Sequence, residues 1–407
     1  MSKLRRPSTS IHRRGAKARP QSGCSYRRRG RELPPFKARM AVSPYPVSEA
    51  KQHSNNLPKF EDLKKHVCDP KYAATIKQSL WEAATTVTAY AVVFSLMARA
   101  SNAGYPLPVL MLISMLLGAI CVRSFIIMHD CGHGSFFKDK KWNTVFGFFF
   151  SSFCITPTDW KVTHAMHHNL VGNVDQDDYE WCETVWHTKA DYLAMPEWKR
   201  TFWKIARQPL LFFTLAPLLV WWIEYRIPDW LMFPDPHRQF YRTSNKAMNT
   251  VVMLSRYFWV VKYVGGYRLL GLTMMAEWFG ALMGILLFHA QHVYEGGYVV
   301  LDNKEWDRIA ASIQGSSYLH LHPALKWFTM GIEYHHIHHL FILVPGYKLQ
   351  QCHEEAPPSL FPPGMVMELT FKDWWRSLHL QAYDEVKGDF VTFAEIDADE
   401  AAKAKTE

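Results

Sequence analysis

Residues 105–128, YPLPVLMLISMLLGAICVRSFIIM, are apolar except for Arg123, and no feature restricts the fold of this chain more. About 20 such residues, wound as a helix, cross the roughly 30 Å of hydrocarbon in a bilayer. AATTVTAYAVVFSLMA (83–98) repeats the signal, as do PLLFFTLAPLLVWWI (209–223), NTVVMLSRYFWVVKYV (249–264) and LLGLTMMAEWFGALMGILLF (269–288). VFGFFFSSFCI (145–155) is too short to span and reads as a half-inserted or surface helix. Buried helices of a soluble protein would also be apolar, but Trp and Phe gather at the ends of these runs like the aromatic belts of membrane proteins. The expected fold is all-α, a multi-pass membrane helical bundle.

The net charge of +9 would hint at nucleic acid if it were spread over the chain. It is not. Residues 1–40 hold thirteen Lys or Arg against the single acid Glu32, so this arm carries +12 and the remainder −3. Its Arg, Ser and Pro content predicts disorder, and no nucleic-acid partner is expected. Three readings of the arm stay open: an organelle transit peptide, a basic arm on anionic lipid, or sequence ahead of an alternative start at Met40. The seven cysteines are scattered without a CxxC pair, which argues against a disulfide framework or a zinc finger.

Histidines cluster where apolar runs end. HDCGH supplies His129 and His133, HAMHH supplies His164, His167 and His168, and HHIHH supplies His335, His338 and His339. His292 follows the last apolar run. With 20 His in 407 residues, one HxxHH is expected about 0.05 times by chance, so two are a signal. On a helix, positions i, i+3 and i+4 share a face, and three ring nitrogens can converge. Nine imidazoles are too many for one ion and suit two, each with four or five ligands. A closed zinc site would favour four ligands with some thiolate. Acidic diiron bundles would show Glu-x-x-His pairs, and these clusters contain none. An all-imidazole dinuclear iron site fits best.

Ligands of one centre must lie on one side of a membrane. The runs 83–98 and 105–128 return HDCGH to the starting side, but three candidate runs separate His168 from His292, and an odd count would split the site. Either 249–264 stays out, or 209–223 enters and returns, bent at Pro217. The second arrangement keeps the basic loop 225–268 (Arg226, Arg238, Arg242, Lys246) on the histidine side and makes GGY (265–267) a tight far-side turn, and it is the one expected. It places Arg256 and Lys262 within a span, which is costly unless they snorkel. The stretch after residue 385 is acidic and polar, and is expected to be mobile.

FIIMHDCGHGSFF (125–137), WKVTHAMHHNLVGNVD (160–175), FHAQHVYE (288–295) and GSSYLHLHPALKWFTMGIEYHHIHHLFILVPGYKL (315–349) together resemble the integral-membrane fatty acid desaturases, within them the acyl-lipid Δ12 (omega-6) type. The similarity runs from about residue 57 to 365. It implies a dinuclear iron centre held by the nine histidines, with His292 matching the family's extra histidine, and O2 as co-substrate. Oleate-to-linoleate desaturation of an acyl lipid is the expected reaction. An external electron donor, cytochrome b5 or ferredoxin, is implied, as is a membrane of the endoplasmic reticulum or plastid. The implied organisation is a tail or targeting segment at 1–40, an amphipathic lead-in at 41–80, the desaturase domain at 81–365 and a C-terminal polar tail at 366–407. Glu333 departs from the usual glycine-rich lead-in, and His289, His320, His322 and His336 are additional.

Removing hydrogen from unactivated methylenes is beyond any side-chain acid or base, so no catalytic residue beyond the ligands is expected. An apolar tunnel would hold the methylene pair in reach, with Phe136, Phe137, Trp160 and Trp327 as candidate walls, though ordinary packing explains each alone. Two rivals remain. A hydroxylase, conjugase or acetylenase would use the same site with a different outcome. A non-catalytic membrane metal carrier or haem scaffold would want polar residues along its spans, and these runs have few.

Overall fold

A computed structural model describes residues 57–175, 186–227 and 243–405. The basic arm, the first part of the lead-in, and Arg238 and Arg242 lie outside the described residues. Helix α1 (Phe60–Val67) precedes a hairpin of α2 (Ile76–Asn102) and α3 (Leu107–His133). Thr75 caps α2 by accepting the Gln78 N–H. Gly134 ends α3 at φ +77°, a left-handed conformation that a residue without Cβ adopts freely. Helix α4 (Lys140–Ser151) packs back along α3, with Gly147 against the Cβ of Cys131, and α5 (Trp160–Leu170) follows.

After β1 (His187–Thr188), α6 (Lys189–Ala194) and α7 (Glu197–Ala206), the chain bends by 82° into α8 (Pro209–Trp222). Helix α9 (Thr243–Trp259) runs through a π-helical turn, Val260–Gly265, into α10 (Gly266–His292). Short elements then build the cap: α11 (Arg308–Ile313), β2 (Tyr318–Leu319), α12 (Pro323–Thr329), α13 (His335–Leu340) and α14 (Gly346–Glu354). The chain ends with β3 (Glu368–Leu369), α15 (Phe371–Ser377), β4 (Ala382–Asp384), β5 (Asp389–Val391) and α16 (Phe393–Lys403). Strand β4 lies between β1 and β5, and β2 pairs with β3.

Among the described residues, three helical stretches are long and apolar enough to cross a membrane: 70–102, 107–133 and 245–292. The third is not one rod. Arg256 pairs with Glu277, yet residues 21 apart on a straight helix stand about 31 Å apart. The chain therefore reverses at Gly265–Gly266, where Gly266 takes φ +65°. Asn102 donates to Val264 O at 2.9 Å, and Arg268 to Tyr105 O at 2.6 Å. Both hairpin turns thus sit at one end of the bundle, and GGY is the tight far-end turn expected from the sequence. At the opposite end α9 begins, with Asn245 bonding Asp159 at 2.6 Å.

Helix α8 runs unbroken through Pro217, so the bend expected there falls instead before Pro209. Its 14 residues reach about 21 Å, short of the hydrocarbon thickness. Phe213 near its start packs on His289 at 5.3 Å, and Arg226 just beyond its end donates to Ile155 O and to Asn249. Both ends of the segment pack near the histidine end of the bundle. Arg256 is accommodated by Glu277 and by Ser152 O at 2.7 Å, while exposed Lys262 lies over Phe258 and Tyr263 near the far end.

One expectation is overturned. The stretch after 385 is folded, not mobile. Thr392 and Glu395 form a capping box that starts α16, and Phe393 stacks on Tyr192 at 4.3 Å. Its acids are neutralised in place, Asp397 by Lys204 at 2.5 Å and Asp399 by Lys387 at 2.7 Å. Acidity read as solvation is here a set of pairings with residues 189–204 and with the β4–β5 hairpin.

Candidate metal centre

The histidine ends of α3, α5, α10 and α13 meet, and all nine candidate histidines fall into two groups. His129, His133, His164, His168 and His338 form one; His167, His292, His335 and His339 form the other. Each HxxHH is divided. His164 and His168 (i, i+4) serve the first group and His167 the second; His335 and His339 serve the second and His338 the first. The sequence placed three rings on one face, but α5 and α13 each lie between the two groups and contribute two rings to one and one to the other.

In the first group four Nε2 atoms close a ring: His129–His164 3.0 Å, His164–His168 3.1 Å, His168–His338 3.0 Å and His338–His129 3.1 Å. The His133 ring stands 4.6–4.9 Å from all four, its buried Nε2 without a hydrogen-bond partner. The second group closes a similar ring: His167–His292 3.0 Å, His292–His335 2.9 Å, His335–His339 3.1 Å and His339–His167 3.3 Å. A protonated Nε2 donates once and cannot accept, so at most two contacts in each ring can be hydrogen bonds. A central cation satisfies all four lone pairs. The donor set fits two ions, five imidazoles around one and four around the other.

Burial sets the protonation state. In His164, His167, His168, His335, His338 and His339, desolvation first and neighbouring imidazoles second push the pKa well below the usual 6.5. The rings are neutral at pH 7 and present lone pairs. The outer nitrogens are oriented by the chain: His129 Nδ1 meets Asp130 Oδ1 at 3.0 Å, and His292 Nδ1 meets Gly315 O at 2.9 Å. Asp130 Oδ2 also accepts the Gly346 N–H at 2.6 Å, tying the first cluster to the loop behind the third.

The candidate walls separate. Trp160 stacks on His164 at 4.1 Å, beside the first group. Phe136 and Phe137 are buried and pack on Tyr347 and Phe146. Trp327 is 37% exposed and lies under the Arg123 guanidinium at 4.2 Å. Phe125 and Phe288 were missed: Phe125 packs on Trp160 at 4.9 Å, and Phe288 lies 4.9 Å from His167 and 5.2 Å from His292. A signal existed, because Phe125, Trp160 and Phe288 each precede a cluster histidine by four residues, one helical turn. Glu333 is fully buried and bonds Thr329 at 2.7 Å, burial raising its carboxyl pKa. His289 faces Ser377 O at 2.9 Å, and His320 pairs with Glu368.

Residues 106–368 match the family model described as fatty acid desaturase. The chain is 29% identical over 286 residues to a fatty acid desaturase of Bacillus subtilis, covering 70% of this chain and 77% of that protein. It is 25% identical over 252 residues to a chloroplastic omega-3 fatty acid desaturase of Brassica napus, covering 58% of each. An omega-3 fatty acid desaturase of Caenorhabditis elegans is 24% identical over 277 residues, covering 61% of each.

Proposed function

The chain belongs to the fatty acid desaturase family, and from that membership we propose that it inserts a cis double bond into a membrane acyl lipid at the Δ12 (omega-6) position, turning oleoyl into linoleoyl chains. The observation that carries the reading is the pair of four-nitrogen rings, five and four imidazoles, at the ends of apolar helices. The family makes the chain an oxidoreductase, and the reaction balances as the acyl chain plus O2, two electrons and two protons yielding the alkene and two waters.

Iron bound in the two rings would supply the O2-dependent oxidant that removes hydrogen from unactivated methylenes. The chain does the positioning. Neutral histidines hold their lone pairs inward, and Asp130 and the Gly315 carbonyl fix two ring orientations. Trp160 and Phe288 give the acyl chain an apolar surface against the clusters and keep water away. The helices cross the membrane as two hairpins, α2–α3 and α9–α10, with α8 entering and returning on the histidine side. The host membrane is that of the endoplasmic reticulum or a plastid, and electrons arrive from cytochrome b5 or ferredoxin.

Two of these relatives are omega-3 fatty acid desaturases, which favours a second reading, desaturation at omega-3. Fatty-acid profiling separates the two. Full-length chain and residues 40–407, expressed in a host lacking polyunsaturates, are expected to produce linoleate from oleate. α-Linolenate made only when linoleate is fed would favour omega-3, and a hydroxylated chain would overturn desaturation. His167→Ala and His338→Ala each remove one nitrogen from a different ring, and are expected to abolish product while protein level persists.

A further inference from the structure

Three of the four histidines in HHIHH enter the rings, and the fourth, His336, does not. Its ring is fully buried, and its Nε2 shares a 2.9 Å hydrogen bond with His353 Nδ1 on α14. Phe361 packs on both rings, at 5.4 and 5.8 Å, and Tyr334 packs on His353 at 5.2 Å. A buried imidazole costs free energy that an apolar side chain of similar size would not, so packing alone does not account for it. His353 is half-buried and borders the exposed Glu354 and Glu355 on the cap surface.

The second ring is buried throughout, and a protein donor of electrons does not reach it by contact. Electron tunnelling is faster through covalent bonds and short hydrogen bonds than across van der Waals gaps. The outward bonds of His129 and His292 end on buried backbone, at Gly346 N (through Asp130) and Gly315 O. The bond of His336 ends at the surface, and His336 is joined by one peptide unit to His335 of the second ring.

We propose that the His353–His336 pair is the electron entry route, carrying electrons from a docked one-electron donor protein to the ion held by His335. It rests on the desaturase reading above. Each passage would oxidise the donor's centre by one electron and reduce one of the two held ions by one, so that two passages, one electron for each ion, supply the two electrons that each double bond requires.

The test uses the full chain loaded with iron in nanodiscs, mixed anaerobically without acyl substrate with reduced cytochrome b5 or reduced ferredoxin. Donor reoxidation is followed optically, and iron content and reduction by dithionite are measured in parallel. His353→Phe, on the cap surface, is expected to slow donor reoxidation at least tenfold while iron content and dithionite reduction match wild type. His336→Phe should do the same. An unchanged donor rate overturns the route. So does a loss that dithionite reduction or iron content shares, which would mark the pair as structural. Wild-type protein that binds no iron and oxidises neither donor would sink the desaturase reading, whereas failure confined to the variants' predictions sinks the route alone.

Discussion

His164, His167, His168, His335, His338 and His339 have their proton affinity lowered chiefly by burial. The sign of the consequence follows from linkage. A histidine whose folded pKa lies below 6.5 binds its proton more readily when the chain is unfolded, so its contribution to stability is present above pH 6.5 and is lost as pH falls below that value. Metal binding adds to the slope, because protons compete for the same nitrogens. Iron retention, measured by elemental analysis after gel filtration between pH 8 and pH 5, should hold near two per chain above pH 7 and fall steeply below about 6.5. Flat retention down to pH 5 would contradict neutral imidazole ligation. At this scale eight of the nine residues could be read from the sequence, since HxxHH twice and HDxxH once are rare by chance, and His292 from its place after the last apolar run. The division of each triplet between two groups could not, because it depends on which helices stand on either side of α5 and α13.

Helices α3 and α10 carry His129, His133 and His292, and they approach through glycine. A Cβ on Gly118 would lie 2.5 Å from Ala276 O, and one on Gly280 2.8 Å from Gly118 O. Both obstacles are backbone, so a larger residue must part the helices, the packing logic of small residues at membrane-helix interfaces. Gly118→Val is expected to cost about 1–3 kcal/mol. It should also lower iron per chain while the protein remains in the membrane fraction, because α3 and α10 place ligands in different rings. Thermal unfolding and iron stoichiometry check this; wild-type values for both would show that the contact does not set the spacing of the rings. Element existence was legible in the apolar runs, and α4 was legible as too short to span. The path of α8 was visible only as an odd count, since hydropathy does not say that the chain bends before Pro209 and not at Pro217. The capping box TFAE at 392–395 was present in the sequence, but the acids around it masked a helix whose partners lie some 190 residues earlier.

At the largest scale, among the described residues, the elements that carry the two histidine groups meet at one end of the bundle and both hairpin turns lie at the other. Parity alone requires that, with α8 kept on the histidine side, α9 and α10 cross together or not at all for His292 to face His168. Arg256 and Glu277 pay for their burial by pairing between those two arms, which is the interaction that fixes the reversal. The arrangement predicts an accessibility pattern. Single cysteines at Tyr105→Cys and Tyr267→Cys, in a background with the seven native cysteines replaced, lie on the two turns, where Tyr105 is 53% and Tyr267 80% exposed. An impermeant maleimide should label both from the same side of sealed vesicles. Cysteines at Lys199, Lys348 and Lys387, on the cap, should label only from the other side. Labelling of Tyr267→Cys together with Lys348→Cys would mean that α9 and α10 do not cross. The second ring would then draw its ligands from a chain that never leaves the histidine side, and Arg256 would need no buried partner.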